Sequence, residues 1–491
     1  MNYRMVFYTL GYIFKTEAIL MLLPGIVAMI YGESVMPFVI TIILLLAFGF
    51  GLSPKKPKNN VIYARDGFMI VALSWVFMSM FGALPFVIDG AIPNFIDAFF
   101  ETVSGFTTTG STILSNVEAV PKSLLFWRSF THWVGGMGVL VFVMAIVPLG
   151  DERGMHIMRA EVPGPSVGKL VPKLKTTSRI LYGIYFGMTV VLVILLVCGG
   201  MPLYDSFIHA FGAAGTGGFS HFNASVGAYN SVYFDYVLGV AMILFGINFN
   251  LYYLLLIGNV REVFKDEELR TYLGIILAAV AIIAWNIFPM FNNAAESIRY
   301  SFFQVASIIT TTGYSTADFN AWPQLSRTIL VILSLIGASA GSTGGGLKVG
   351  RVLILFKSMF AEVRRMIHPR SVRALKLNGK NLEENTLHGI TSFFVIYMIL
   401  FFLAFLLISI DNFALEDNFT AVVATINNIG PGLGMVGPTG NFLQYSYFSK
   451  IILSLCMLFG RLEIFPMLLL FSPSAWKPRK GKRLSAQTKK A

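Results

Sequence analysis

The sequence predicts an all-α polytopic membrane protein: four repeats of helix, short half-helix, glycine loop and helix in pseudo-fourfold arrangement, behind an N-terminal helix pair. Three observations predict it. Of 491 residues, 55% are hydrophobic and only 13% charged, with a mean hydropathy of +0.70, whereas soluble domains carry roughly a quarter charged residues. Apolar runs recur from end to end, and about 20 residues cross ~30 Å of hydrocarbon. Finally, Phe99, Phe207, Phe302 and Phe419 each stand eleven residues before a glycine: Gly110, Gly218, Gly313 and Gly430. An internal repeat of this kind decides the architecture.

In chain order, the apolar spans read at 8–31, 36–53, 67–89, 124–149, 179–200, 233–257, 271–290, 325–360 (long and interrupted), 387–410 and 447–472. Lys15 and Glu17 interrupt the first run, which argues against a cleaved signal peptide. The phenylalanine-to-glycine segments fall between spans three and four, five and six, seven and eight, and nine and ten. The expected units are a two-helix domain (1–60), four repeats (61–165, 166–260, 261–375 and 376–475) and a basic tail (476–491). Asp97, Asp205 and Asp417 precede three of the phenylalanines by two residues, with Tyr300 in the remaining slot.

Lys and Arg in the connecting loops set the orientation. The links 54–66, 150–179 and 348–385 and the tail are basic. Span counting puts all of them on one side, so that side reads as cytoplasmic, with both termini inside. The glycine segments then open outward among mostly acidic residues, including Asp97, Glu101, Asp205, Asp235, Glu416 and Asp417, against Lys122, Arg128, Arg299, Arg327 and Lys450. An acidic mouth concentrates cations. The net charge of +12 is an inner-face property that matches lipid headgroups and does not argue for nucleic acid.

A half-helix ending in Thr-Thr-Thr-Gly within a membrane needs a reason, because irregular backbone is tolerated there only where protein or a wet cavity surrounds it. Four such loops around one axis can point backbone oxygens inward and replace the hydration shell of a monovalent cation. The candidate ion-facing residues are Thr108, Thr109 and Gly110; Gly217 and Gly218; Thr311, Thr312 and Gly313; and Asn428, Ile429 and Gly430. The competing reading is that glycine and threonine merely allow tight helix packing. Between Gly337 and Gly346, GASAGSTGGG holds five glycines in ten residues, each costing about 1 kcal/mol relative to alanine in a helix. That stretch reads as an intramembrane loop beneath the four segments. GSTGGGLK resembles a phosphate-binding loop, but Leu347 precedes Lys348 and Val349 follows, so the spacing fails. Arg461 lies in an apolar span with Glu463 two residues on. Residues two apart do not share a helix face, so a partner elsewhere is expected; the alternatives are that pair or snorkelling at a helix end. Cys198 and Cys456 read as core fillers, and His209 as a packed neutral imidazole. Glu17 is a candidate for a proton relay. No nucleophile–base set appears, so no enzyme is expected.

The four segments, the intervening spans and FGRLEIFP (459–466) resemble the Trk/Ktr/HKT superfamily of potassium transporters over essentially the whole chain. The leading helix pair (8–53) is similar to the Trk branch. The resemblance implies potassium uptake across a bacterial cytoplasmic membrane, a homodimer, and a ring-shaped, nucleotide-binding cytosolic regulator of the TrkA kind. It also implies filter glycines at Gly110, Gly218, Gly313 and Gly430. It implies a gate made by the intramembrane loop, with Gly337, Gly341, Gly344, Gly345 and Gly346, and by Arg461 beneath the filter. Two departures are visible: Gly217 before Gly218, which implies a loose second loop, and Asn427-Asn428-Ile429 in place of threonines. The alternative function is a secondary transporter binding another solute at broken helices.

Overall fold

Asn2 accepts a hydrogen bond from the Met5 amide and starts helix α1 (Tyr3–Leu20), satisfying one of the amides that a helix start leaves orphaned. The computed structural model describes residues 1–57, 62–138, 174–369 and 374–477. The basic links at 58–61 and 150–173, Arg370, Arg373 and the tail from 478 lie outside the described residues. Helix α1 bends at Met21 into α2 (Leu22–Tyr31), and α3 (Met36–Leu52) returns against it. A Cβ on Gly11 would stand 2.7 Å from the Gly49 carbonyl oxygen, the close approach that small residues allow between apolar helices. Lys15 keeps its ammonium over the Phe50 ring, 4.2 Å from the centroid.

Four units follow. The first is α4 (Ala64–Asp89), the short α5 (Phe95–Phe106) and α6 (Lys122–Gly136). The second is α7 (Leu174–Cys198), α8 (Leu203–Gly215), α9 (Val232–Phe245) and α10 (Phe249–Leu256). After α11 (Val260–Lys265) comes the third: α12 (Glu267–Phe291), α13 (Ala294–Ile309), α14 (Gln324–Ile336) and α15 (Val349–Ile367). The fourth is α16 (Glu384–Ile408), α17 (Leu415–Ile426), α18 (Tyr447–Arg461) and α19 (Phe465–Phe471), and the described chain closes with α20 (Pro473–Trp476). Strand among the described residues is confined to Lys376–Leu377 against Lys380–Asn381. Among the described residues, five helices are long and apolar enough to cross a membrane, six with the bent pair α9–α10. The terminal amine of Met1 donates to the Lys477 carbonyl at 3.1 Å, so the start and the last described helix share one face.

The structure corrects three spans. Residues 233–257 and 447–472 are not continuous helices, and in 124–149 the helix stops at Gly136, while 139–149 lie outside the described residues. Helices α9 and α10 meet at 91°. There Asn248 caps the new helix, and the Phe249 amide donates instead to Gly341, 3.0 Å away in the third repeat. In the fourth repeat, Glu463 (φ 55°) and Ile464 (φ 67°) are left-handed, a region that side chains avoid, and Pro466 opens α19. The break expected in 325–360 is present between Ile336 and Val349.

Outer charges join neighbouring repeats. The second helix of one repeat pairs with the short helix of the next: Asp235 with Arg299 at 3.5 Å, Arg327 with Glu416, and Lys450 with Asp97 at 2.6 Å. At the remaining junction the Tyr204 hydroxyl donates to the Lys122 carbonyl at 2.7 Å. Arg128 bonds Glu101 within the first repeat at 2.6 Å. Asp97, Glu101, Asp235 and Glu416 are thus ion-paired, and Asp97, Asp235 and Glu416 hold neighbouring repeats together.

Candidate functional site

All four short helices end in the same way. An amide bonds the carbonyl five residues back: Thr109 to Ser104, Gly217 to Gly212, Thr312 to Ser307 and Ile429 to Ala424, at 2.8–2.9 Å. This is the closing bond of a helix whose next residue is left-handed. That residue is Thr108 (φ 55°), Thr216 (φ 55°), Thr311 (φ 59°) or Asn428 (φ 57°). Two residues later the chain is left-handed again at Gly110, Gly218, Gly313 and Gly430, with φ between 75° and 99°. Each loop thus alternates in hand, which turns successive carbonyls to one side instead of to opposite sides as in a strand.

The four loops converge. A Cβ on Gly110 would run into the Gly217 carbonyl oxygen, one on Gly218 into that of Thr312, and one on Gly313 into that of Ile429. The cycle closes where a Cβ on Gly430 would stand 2.8 Å from the Thr109 oxygen. The glycines are needed both for their positive φ and because the next repeat's carbonyl occupies the side-chain volume. Hydroxyls brace the loops: Thr107 to Thr109 and Thr310 to Thr312, both at 2.7 Å, and Asn428 Nδ2 to Thr109 at 3.0 Å. Outside them lies a cavity of about 120 Å³ that all four glycines line, with Ser111, Ser220, Ser315 and Arg128. Among the described residues, that lining holds no carboxylate.

The chain from Gly337 to Lys348 sits directly beneath, left-handed at Gly337, Gly341, Gly346 and Lys348. The Gly345 amide donates to Thr311 Oγ1 at 2.6 Å, and a Cβ on Gly345 would meet the Asn427 carbonyl. A Cβ on Gly344 would stand 2.9 Å from the Thr310 carbonyl oxygen. The Ser339 amide bonds the Gly246 carbonyl at 3.1 Å. The loop therefore touches the second, third and fourth repeats. Arg461 ties it to the first: its guanidinium donates to Thr343 at 2.7 Å, to Gly135 at 2.5 Å and to Gly136 at 2.6 Å, all carbonyl oxygens. Glu463 pairs instead with Arg351, so the neighbouring-pair alternative does not hold. Lys348 donates to the Gly344 carbonyl.

Three residues escaped the sequence reading. Glu268 accepts the amides of Ala340 (2.6 Å) and Gly350 (2.9 Å) with one oxygen, clamping both sides of the break. Asn248 restarts a broken helix. His132 packs on Gly217. Of the three, only Asn248, a capping residue type two positions after Gly246, carried a signal in the sequence. Of the other candidates, His209 is fully buried with Nδ1 2.9 Å from the Asp205 carbonyl. Cys456 is buried but Cys198 is exposed, facing outward from its helix and not filling a core. Glu17 is buried with neither carboxyl oxygen hydrogen-bonded.

Comparison with known proteins gives one answer. The family model TrkH, described as a cation transport protein, matches residues 34–478. The Trk system potassium uptake protein TrkH of Salmonella typhimurium is 38% identical, covering 97% of this chain and 100% of that protein. The TrkG protein of Escherichia coli is 32% identical, covering 96% and 99%. The crystal structure of the potassium transporter TrkH from Vibrio parahaemolyticus superposes with a TM-score of 0.87 at 33% identity, covering 97% and 100%.

Proposed function

This chain belongs to the TrkH family of cation transport proteins, and we propose that its potassium crosses at the ring of four glycine loops. Potassium uptake through a multi-pass membrane protein is the activity of the relatives and of this chain, which is a transporter and not an enzyme. The binding of another solute at broken helices is not favoured, since every relative named above takes up potassium.

The observation that carries the reading is the cyclic fit of each filter glycine on the next repeat's carbonyl. It supports an inward-facing set of main-chain oxygens from Thr109, Gly217, Thr312 and Ile429, joined by Thr108, Thr311, Asn428 and the four glycines. Such oxygens replace an ion's hydration shell. Four helix carboxyl ends add partial negative charge. Below, the loop at Gly337, Gly341, Gly344, Gly345 and Gly346 is a gate, held across the path by Arg461. Its positive charge opposes a cation until its three carbonyl bonds break. A cytosolic nucleotide-binding regulator of the TrkA kind, acting on the basic inner face of a homodimer, would move that gate. Both termini are cytoplasmic on the charge of the connecting loops, and the contact of Met1 with Lys477 supports their lying on one side.

Rubidium uptake by potassium-starved cells tests the reading. Expression of the chain should restore uptake, and Gly110→Ser should lower the preference for potassium over sodium. Restored uptake with unchanged preference in Gly110→Ser would contradict the proposed filter.

A further inference from the structure

In three repeats the residue before the filter glycine has a side chain: Thr109, Thr312 and Ile429. The two threonines bond a hydroxyl two residues back, which fixes the peptide whose carbonyl faces the ring. The second repeat has glycine at both places, Gly215 and Gly217. The vacant volume is filled from another repeat. A Cβ on Gly217 would fall on the imidazole of His132, and one on Gly215 on the main chain of His132. That ring, on α6, is fully buried. Its Nδ1 lies 2.7 Å from the Gly105 carbonyl in the first short helix, and it stacks on Phe219 with centroids 4.1 Å apart. One side chain thereby touches the first short helix and both sides of Gly218.

We propose that His132 is the positioning residue of the second filter loop. Its ring takes the place of the side chain missing at Gly217, holds that carbonyl in the four-oxygen ring, and so sets the preference for potassium over sodium. Interiors are close-packed, and a peptide with nothing behind it is free to shift. A displaced oxygen lets the ring contract onto a smaller ion, which is how selectivity is lost where field strength and oxygen number decide it. The inference rests on the reading of the four loops as the filter.

The test is rubidium uptake by potassium-starved cells expressing the full chain, with and without competing sodium, normalised to protein in the membrane. His132→Ala should lower the rubidium-over-sodium preference about fivefold or more. Gly217→Ala drives a methyl into the ring and should cut uptake about tenfold. His132→Ala combined with Gly217→Ala should recover a large part of the uptake, because residues in contact are not additive. An unchanged preference in His132→Ala, or a double variant no better than Gly217→Ala, overturns the proposal. Should His132→Ala show no uptake, recovery in the double variant supports the proposal and its absence overturns it. Gly313→Ala, whose methyl would meet the Ile429 carbonyl and not His132, separates the two readings. If Gly313→Ala impairs uptake while the His132 variants behave as the parent, only the role of His132 falls. If Gly313→Ala is silent too, the filter itself falls.

Discussion

Single residues decide the site through conformation more than through chemistry. Thr108, Thr216, Thr311 and Asn428 hold a left-handed backbone that costs of order 1–3 kcal/mol where a side chain is present. Four identical closing bonds and the next repeat's carbonyls maintain it. Gly313 adopts φ 88° against the Ile429 carbonyl. Gly313→Ala adds conformational strain and an overpacked methyl of about 1–3 kcal/mol, and rubidium uptake should fall about tenfold or more at equal abundance. Arg461→Ala removes the donor shared by Thr343, Gly135 and Gly136, and should raise cation leak; wild-type uptake kinetics would contradict that role. At this scale the eleven-residue spacing made the glycines legible in the sequence. The left-handed threonines were not, since threonine ordinarily avoids that region and only tertiary closure imposes it. Nor were the three main-chain oxygens to which Arg461 donates.

Elements show the same division. The five glycines between Gly337 and Gly346 made one broken helix legible. The breaks after Phe245 and Arg461 were hidden in apolar runs. The first exists because Gly341 captures the amide of Phe249, and the second because Glu463 reaches Arg351 from a left-handed turn. Periodicity carries neither contact. All four second helices thus stop directly under the loops, at Gly136, Phe245, Ile336 and Arg461, which leaves room for the glycine-rich crossing. Shortening 339–345 should raise ion flux, and unchanged flux with unchanged regulation would count against a gate. Glu268→Ala frees the amides of Ala340 and Gly350. Uptake without stimulation should then rise, while uptake no faster than that of the parent would mean that Glu268 does not hold the loop shut.

At the scale of the molecule, the repeats form a ring whose outer rim is joined from the second helix of each repeat to the short helix of the next. Charge sign reverses at one junction, with Asp235 on the second helix facing Arg299, so the ring is closed by matching, not by one repeated motif. Sequence counting detected the acids and the bases but not their pairing, because partners such as Asp97 and Lys450 stand 353 positions apart. Lys450→Met leaves Asp97 buried without its cation, and removing one partner of a buried pair costs about 3–5 kcal/mol. The temperature of half-inactivation in detergent should drop, and adding Asp97→Asn should restore most of it. The central claim is that the ring so closed offers four main-chain oxygens to a dehydrated alkali cation. Anomalous scattering from crystals grown in rubidium tests it most directly. The account predicts a peak on the axis among the carbonyls of Thr109, Gly217, Thr312 and Ile429. An empty axis at saturating rubidium, with ions bound elsewhere, would contradict it.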